Sequence, residues 1–475
     1  MSVLLFTLLI IYVGVAIFFI IRSISKGKSV FFNLLPTAGW LLLMTVPFLL
    51  QCFDFDAAAA NPQAIGILII GSCLLVGDVL YIKPWVRDNV LDSADKSWYS
   101  TFYKIISSGY FYLALFLAVA IYHLISMETV PLFYSWTHPQ ASESYLVLLR
   151  ENAAKLLNVP FIIKYFFTWA TSFFAVVGTV LFLRKKKWIW AAAFIVLALI
   201  YARITLNKAP TYILIISLII YCLFAIDFKI KKPILIAITV VVCMLIARPI
   251  IFLTTDVNSG FKQQAPVNEN QTDANKFRFA KYPADMPGEY QIYNWFMKRA
   301  IFMPSEVSNF WYLYAEETGN SFGYSDLLPQ TRGSDYQSPS NVVGLWSYHA
   351  KWPNMYGPTV SAYCSLDGDA YARGGWVAVV CVGMILLILR LLMKYLLIRK
   401  NILSYCCYIV CVIQMALNLA ASSLQAFVVA HGFIGMMFLM LVLCVTSVIQ
   451  QKKNKAKQLQ ENETANDVVK KEITQ

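Results

Sequence analysis

Charged residues are scarce in this sequence: Asp, Glu, Lys and Arg make up only 14% of its 475 residues, whereas 59% are apolar. Soluble domains average about 25% charged residues, so a soluble enzyme is excluded. The formal net charge of +13 would suit a nucleic-acid-binding protein only if it formed a basic face on a soluble domain, and little of this chain is polar enough to do so. The sequence therefore predicts a polytopic membrane protein that binds no nucleic acid.

Long apolar stretches fill most of the chain, and a transmembrane helix needs about 20 such residues. Eleven spans are predicted, near residues 2–21, 30–52, 64–82, 105–126, 160–183, 188–206, 209–227, 233–253, 375–398, 401–421 and 424–449. The expected fold class is an all-α polytopic bundle. It divides into eight helices with a small outer loop at 127–159 (residues 1–253), a large outer loop (254–374), three C-terminal helices (375–450) and a disordered tail (451–475). The first span lacks a basic stretch before it and an A-x-A site after it, so we expect a retained helix rather than a signal peptide.

The basic residues fall mainly in one alternating set of loops and in the tail. That set holds 24 Lys and Arg against nine acids, a net of +15, and includes Arg390 and Asp78. The other set holds 15 basic and 17 acidic residues, a net of −2. Because cytoplasmic loops carry the excess of Lys and Arg, the amino terminus is predicted to lie outside and the tail inside.

Cysteine offers little sign of a disulfide framework or a metal site. Eight of the ten cysteines fall inside predicted spans, and only Cys52 and Cys364 come near the outer face. Buried cysteine behaves as a small apolar residue, and the adjacent Cys406 and Cys407 lack metal-ligand spacing. We therefore expect no disulfide, no metal and no cofactor.

The large outer loop is rich in aromatic residues, and one helix within it has clear boundaries. Pro304 is suited to a first helical turn and Gly319 to the position after the last. Between them an apolar stripe runs along one face, either packing on the bundle or binding a ligand: Val307, Phe310, Trp311 and Tyr314. In the small outer loop, the apolar residues Leu146, Leu149, Ala153 and Leu156 predict an interfacial helix that anchors the chain or guides a lipid-borne substrate.

Basic residues at the outer ends of spans oppose the positive-inside tendency. Because a charged side chain beside the bilayer is energetically costly, these residues are candidate functional residues. Snorkelling to lipid phosphates is the alternative. Planar guanidinium groups make paired hydrogen bonds to phosphate oxygens. A pyrophosphate clamp is therefore predicted from Arg203, Lys208, Arg248, Arg299, Arg332 and Arg373.

Two places in the large outer loop carry candidate acid–base residues. His349, in GLWSYHAKWPNMYGP, suits a general base or an anion ligand, or else ordinary hydrogen bonding. Asp367 and Asp369, in LDGDAYARGGW, either accept a proton from a sugar hydroxyl or form the polar start of a helix, where acids are favoured by the dipole. The glycines that follow them permit close backbone approach.

In this architecture the chain resembles the Wzy-type polymerases of bacterial O-antigen and capsular repeat units. The resemblance rests on the number of spans, one large late outer loop, a basic residue at the outer start of a helix in NKAPTY, and the stretch DGDAYARGGW before the next span. The pattern of Arg followed eleven residues later by Gly, described for some members, is absent at Arg203, Arg299, Arg332 and Arg373.

The resemblance implies a GT-C-like bundle that polymerises undecaprenyl-pyrophosphate-linked repeat units at the periplasmic face of the bacterial inner membrane. A separate chain-length-regulating co-polymerase and membrane lipids would be its partners. A hydroxyl of one lipid-linked unit attacks the anomeric carbon of another, and cationic side chains stabilise the departing pyrophosphate without a metal. His349 is the first candidate for the base, followed by Asp369 and Asp367, while Trp346 and Tyr348 are expected to contact sugar.

Three other functions remain open. An O-antigen ligase attacks the same donor but uses lipid A-core as acceptor. A transferase that uses a polyprenyl-phosphate sugar usually has acids in its first outer loop, where this chain has Asp54 and Asp56. A polysaccharide transporter is expected to show repeated halves and discontinuous helices with charges near the midplane.

Overall fold

A computed structural model describes most of the predicted bundle and part of the large outer loop. The described residues are 1–25, 32–53, 55–86, 98–139, 159–205, 209–224, 302–319, 321–324, 338–351, 364–398 and 401–473, together with Leu146, Leu149, Arg150 and Ala153. Within these ranges the regular structure is helical throughout.

Within the described residues, the N-terminal half contains eleven helices, some of which continue into one another through π-helical turns. They are α1 (Val3–Ser25), α2 (Leu35–Trp40) joined by a π-turn (Leu41–Thr45) to α3 (Val46–Gln51), α4 (Ala57–Val79), α5 (Trp98–Ile106), α6 (Gly109–Ser126), α7 (Pro131–Thr137), α8 (Phe161–Trp169) joined by a π-turn (Ala170–Phe174) to α9 (Ala175–Arg184), α10 (Trp188–Arg203) and α11 (Ala209–Phe224).

The C-terminal half begins with two helices of the predicted outer loop and ends with three helices of the predicted C-terminal spans. They are α12 (Met303–Thr318), α13 (Pro339–Lys351), α14 (Leu366–Leu396), α15 (Ile402–Asn418) and α16 (Phe433–Ile473), with a π-turn (Ala426–Ala430) before α16.

Six helical stretches in the described residues are long and apolar enough to cross a membrane: Val3–Ser25, Ala57–Val79, Gly109–Ser126, Ile163–Arg184, Leu366–Leu396 and Phe433–Gln460. Shorter apolar helices cover Leu35–Gln51, Trp188–Arg203 and Ile402–Asn418. Large apolar side chains are exposed on several of these helices, as expected where a surface faces lipid rather than water; Ile10, Ile121 and Ile388 are examples. The chain is therefore a multi-pass membrane protein, and its predicted eighth span, 233–253, lies outside the described residues.

Helix α4 lies at the centre of one half of the bundle. It packs along α14 and also contacts α1, α2 and α12. Its glycines allow this close packing, because a Cβ at Gly66 would meet the Tyr312 side chain and one at Gly77 would lie 3.0 Å from Arg390 Cγ. In the other half, α9 packs on α6 and α10, and α15 connects the halves through α2, α9 and α16.

A fully buried ion pair joins α4 to α14 near the predicted inner end. Arg390 donates from Nε to Asp78 Oδ1, from Nη1 to Tyr408 Oη at 3.2 Å and from Nη2 to the Asn33 carbonyl at 2.7 Å. Asp78 Oδ2 in turn accepts from the Thr37 backbone N–H at 3.1 Å and from its hydroxyl at 2.7 Å. Counting Arg390 and Asp78 as loop charges was therefore wrong, although their opposite signs leave the inner excess unchanged.

We expect Arg390→Ala to lower the free energy of unfolding by about 3–5 kcal/mol, because it leaves Asp78 buried without its counter-ion. Thermal unfolding of the purified protein in detergent measures the loss. Arg22→Ala is the matched control, since Arg22 also ends a span but is exposed. Equal melting temperatures for the two variants would contradict a stabilising role for the pair.

Two sequence predictions about polar segments have different outcomes. The helix predicted between Pro304 and Gly319 is confirmed as α12, with Gly319 in the left-handed conformation (φ 61°). The tail predicted to be disordered instead continues α16 to Ile473. Its Lys, Gln, Glu and Ala residues favour helix, and no Gly or Pro interrupts it after Gly435.

In the small outer loop, the structure describes α7 and four isolated residues of the predicted interfacial helix. Leu149 and Ala153 are buried there. Leu156 lies outside the described residues, so the orientation of that helix stays a prediction.

Candidate functional site

Helix α12 is buried along most of its length, from Pro304 to Tyr314. Its apolar stripe, Val307, Phe310, Trp311 and Tyr314, forms a cluster with Val343 of α13, Cys364 and Ala372. Its other face packs on α4. The predicted aromatic stripe therefore packs within the outer-loop elements, and the face that meets the bundle is the more polar one.

The polar face of α12 is joined to α4 by side-chain hydrogen bonds. Gln63 donates from Nε2 to the Ser305 carbonyl at 2.8 Å, and Asn309 donates from Nδ2 to Gln63 Oε1 at 2.8 Å. All three residues are completely buried. Because these groups are withdrawn from water, the bonds fix the position of α12 against the bundle.

One turn further along the same face, α12 reaches the acidic start of α14. Tyr312 donates its hydroxyl hydrogen to Asp367 Oδ2 at 3.2 Å. Burial, the charge of Asp367 and its hydrogen bond, and the nearby Tyr371 raise the pKa of Tyr312 well above its usual value, so the phenol keeps the proton that it donates. A hydrogen bond from the neutral Tyr312 phenol to the Asp367 carboxylate thereby links α12 to α14.

Asp367 is completely buried, and its two carboxylate oxygens differ. Oδ2 accepts from Tyr312, whereas Oδ1 has no hydrogen-bond partner within the described part of the chain. The Ser365 side chain caps the helix by accepting from the Gly368 N–H at 3.2 Å, and its own hydroxyl donates to Ser308. Since a buried carboxylate oxygen without a partner is costly, Asp367 is the least compensated acid in the described part of this cluster.

Asp369 and Arg373 form a second, satisfied pair one turn away. Arg373 Nε donates to Asp369 Oδ1 at 2.9 Å, and Nη1 donates to the Gly323 carbonyl at 3.0 Å. The backbone of Arg373 also accepts from the Ser321 hydroxyl, and the Phe322 N–H donates to the Ala372 carbonyl at 3.1 Å. Arg373 therefore ties the start of α14 to the segment that follows α12.

Helix α14 is interrupted just after this pair. Gly374 has φ −158° and ψ 26°, and Gly375 has φ 60° and ψ −148°, a combination that residues with a Cβ rarely adopt. The break separates residues 366–373, which carry the acids, from the apolar stretch that follows, and it coincides with the predicted start of the ninth span at 375. The acidic segment is thus a short helix with its own direction.

Aromatic rings connect the buried acid to the exposed end of α12. The rings of Tyr312 and Tyr371 lie 4.7 Å apart, and the Tyr371 hydroxyl donates to Glu316, which is exposed. Trp346 of α13 packs edge-to-face on Tyr314, with ring centroids 5.4 Å apart. The predicted contact residue Trp346 thus joins the cluster through the apolar face of α12.

The structure brings Asp367, Asp369, Arg373 and Trp346 together around α12. His349 and Tyr348 lie on α13, but their side chains are outside the described part of the structure. Arg203 is the last residue of α10, which packs on α9 and α11. The remaining predicted cations all lie outside the described residues: Lys208, Arg248, Arg299 and Arg332.

Sequence inspection did not select four residues of this cluster: Gln63, Asn309, Tyr312 and Glu316. A usable signal existed on α12, where Ser305, Asn309, Tyr312 and Glu316 recur at helical spacing and form a polar stripe. Gln63 is a polar residue in the first turns of a largely apolar helix, which is a functional or structural marker in a membrane protein.

Among the described residues, no group of three or more His, Cys, Asp or Glu side chains is placed to hold a metal ion. Eight cysteines in those ranges are free thiols: Cys52, Cys73, Cys364, Cys381, Cys406, Cys407, Cys411 and Cys444.

Comparison with known proteins adds no family to this description. No protein-family model, no curated protein and no solved structure matches the chain. Fold and site together define a multi-pass, all-helical membrane protein with a buried acidic cluster beside a broken helix.

Proposed function

We propose that this protein is a metal-independent membrane glycosyltransferase that polymerises undecaprenyl-pyrophosphate-linked oligosaccharide repeat units into a surface polysaccharide. The observation that carries the proposal is the Asp367 carboxylate, which has one oxygen oriented by Tyr312 and the other without a partner among the described residues. An acid in this state is suited to take a proton from a sugar hydroxyl. Its position at the start of α14 agrees with the stretch DGDAYARGGW on which the family resemblance rests.

The proposed reaction is one displacement at the anomeric carbon of the donor glycan. The acceptor hydroxyl oxygen forms the new bond to that carbon, and the bond between the carbon and the pyrophosphate oxygen breaks with its electron pair leaving on pyrophosphate. The hydroxyl proton passes to Asp367. Asp369 is a weaker candidate for this role because Arg373 already neutralises it.

Stabilisation of the leaving pyrophosphate is assigned to the predicted cations Arg203, Lys208, Arg248, Arg299 and Arg332. Arg373 is the exception within that set. Its guanidinium is engaged by Asp369 and by the Gly323 carbonyl, so we assign it to positioning the acidic segment. His349, Trp346 and Tyr348 remain proposed for the glycan side of the site.

The proposal includes a topology of about eleven spans in a GT-C-like bundle in the bacterial inner membrane. The amino terminus and the acidic cluster face the periplasm, and the tail of α16 faces the cytoplasm. Residues 254–374 then form a periplasmic loop against the membrane. The net charge of +15 on the inner side and −2 on the outer side supports this orientation.

One observation favours a second function, transport of a lipid-linked glycan. A discontinuous helix beside a buried charge is typical of transporter substrate sites, and α14 breaks at Gly374 and Gly375 next to Asp369 and Arg373. In a transporter the acid would bind substrate or a coupling ion and no glycosidic bond would form.

Surface polysaccharide from a deletion strain separates these functions and the ligase alternative. We expect the strain to retain one repeat unit on its carrier or core and to lack long polymer. Bare core would indicate a ligase, and the absence of exported units would indicate a transporter; either result would contradict the proposal. Restoration of the wild-type ladder by the plasmid-borne gene is the control.

A further inference from the structure

A second polar pair lies in the turn between α15 and α16. The Ser422 hydroxyl is 3.1 Å from His431 Nε2. This turn adjoins the acidic segment, because the Leu366 N–H donates to the Leu419 carbonyl at 3.1 Å, directly before Asp367. The hydrogen bond between Leu366 and Leu419 therefore connects the segment that carries Asp367 to the turn that carries Ser422 and His431.

The hydrogen bond to Ser422 indicates which nitrogen of His431 carries the proton. Within the described residues, His431 Nε2 is the only hydrogen-bond partner of the Ser422 hydroxyl. A hydroxyl hydrogen in a buried position needs an acceptor, so Ser422 donates to Nε2. Neutral imidazole then carries its hydrogen on Nδ1.

His431 Nδ1 is buried and has no hydrogen-bond partner among the residues that the structure describes. With the tautomer set by Ser422, this atom is a donor that lacks an acceptor. Among the described residues, this buried donor therefore has no acceptor.

The turn is held in place by the neighbouring span. Trp169 Nε1 donates to the Val429 carbonyl at 2.6 Å, and the His431 N–H donates to the Ala426 carbonyl at 3.1 Å within the π-turn. Gly432 has φ 81°, and a Cβ there would lie 3.0 Å from Phe173 Cβ and 3.5 Å from the Trp169 ring. π-turns are frequent at functional sites, and tryptophan is common at the membrane interface, where lipid phosphates lie.

We propose that His431 Nδ1–H donates a hydrogen bond to a phosphate oxygen of the lipid-linked substrate. This inference rests on the proposed function and adds a contact to its donor. Phosphate oxygens are acceptors only, which matches a lone donor, whereas a sugar hydroxyl also brings a hydrogen that needs its own acceptor. A phospholipid headgroup offers the same oxygens, so the experiment must separate the two sources.

The test measures binding of undecaprenyl pyrophosphate to the purified full-length protein in phosphatidylcholine nanodiscs, by the shift in its thermal unfolding. Three variants are compared with the wild type: His431→Ala, His431→Gln and His431→Asn. The Asn amide nitrogen replaces Nδ1 and the Gln amide nitrogen replaces Nε2. We expect about tenfold weaker binding for the Ala and Gln variants, as for loss of one hydrogen bond to a charged group, and near wild-type binding for Asn.

Four outcomes decide the matter. Equal binding by the wild type and His431→Ala overturns the assignment of His431 and leaves the proposed function standing. No binding by the wild type overturns both. An equal, His431-dependent shift with phosphatidylglycerol in place of undecaprenyl pyrophosphate assigns the contact to lipid headgroups and overturns the substrate contact. Should the Ala variant fail to fold, equal binding by the Gln and Asn variants overturns the proposal.

Discussion

Asp367→Asn is expected to abolish long polymer while the protein remains folded in the membrane. Asn keeps the shape of the side chain and an oxygen for the Tyr312 hydroxyl, but it cannot take up a proton. General-base catalysis contributes about 10²–10⁴-fold to a rate, so polymerisation by the variant should fall by at least about 100-fold. Chain length on polysaccharide gels, together with protein abundance in the membrane fraction, measures the effect.

The control for this substitution is Asp56→Asn. Asp56 also lies at the predicted outer side, but it is exposed and caps α4 by accepting from the Ala58 N–H at 2.9 Å. Asn caps helices about as well as Asp, so this variant should retain the wild-type ladder. Long polymer from Asp367→Asn at the wild-type level would remove Asp367 from the reaction.

The second large effect is expected at the helix break. Gly375→Ala should lower polymerisation by about 100-fold, because a displacement of about 1 Å in a catalytic group has an effect of that size. Gly375 has φ 60° and ψ −148°, and alanine in that region is strained by about 1–3 kcal/mol. No atom of the described residues lies within 4 Å of the added Cβ, so the strain there arises from the backbone. Relief of the strain would turn residues 366–373 toward the axis of the following helix.

Gly14→Ala is the matched control for Gly375→Ala. Gly14 lies within α1, and a Cβ there also meets nothing within 4 Å, so the two substitutions differ chiefly in backbone conformation. Alanine in a regular helix is favoured over glycine, and Gly14→Ala should leave both polymer and melting temperature unchanged or slightly raise the latter. If both variants made normal polymer, the break would have no positioning role.

The helices of this protein were largely predictable because their signals are local. Apolar length predicts the helices that span the membrane, and Pro304 and Gly319 predict α12 from its own capping residues. The break in α14 had a local signal too, since adjacent glycines precede the apolar run at Trp376. For the tail, polarity predicted disorder, whereas the structure continues α16 through residues that have high helix propensity.

The orientation of α12 shows the limit of pattern arguments in a membrane protein. Amphipathic reasoning places Val307, Phe310, Trp311 and Tyr314 against the bundle, as it would for a helix on a soluble core. The structure instead buries both faces, with the apolar one against other outer-loop residues and the polar one against α4. The partner of each face of α12 depends on contacts between residues more than 240 positions apart in the chain, such as Gln63 and Asn309. Local periodicity carries no information about such contacts.

The buried pair of Arg390 and Asp78 was missed for a related reason. The two residues are 312 positions apart in the chain, and each taken alone looks like a charge at the inner end of a span. A rule that counts flanking charges cannot distinguish an exposed lysine from a buried, paired arginine. The candidate cations of the outer side were inferred by the same kind of rule, which is why substitution experiments on them are needed.

The most direct test of the proposed function is polymerisation by the purified protein in nanodiscs. The substrate is the undecaprenyl-pyrophosphate-linked repeat unit extracted from the deletion strain, with no nucleotide sugar added. We predict a ladder of glycan lengths, with one undecaprenyl pyrophosphate released for each linkage formed, and no ladder from Asp367→Asn. The absence of product from the wild-type protein, or a ladder of equal length from Asp367→Asn, would contradict the account.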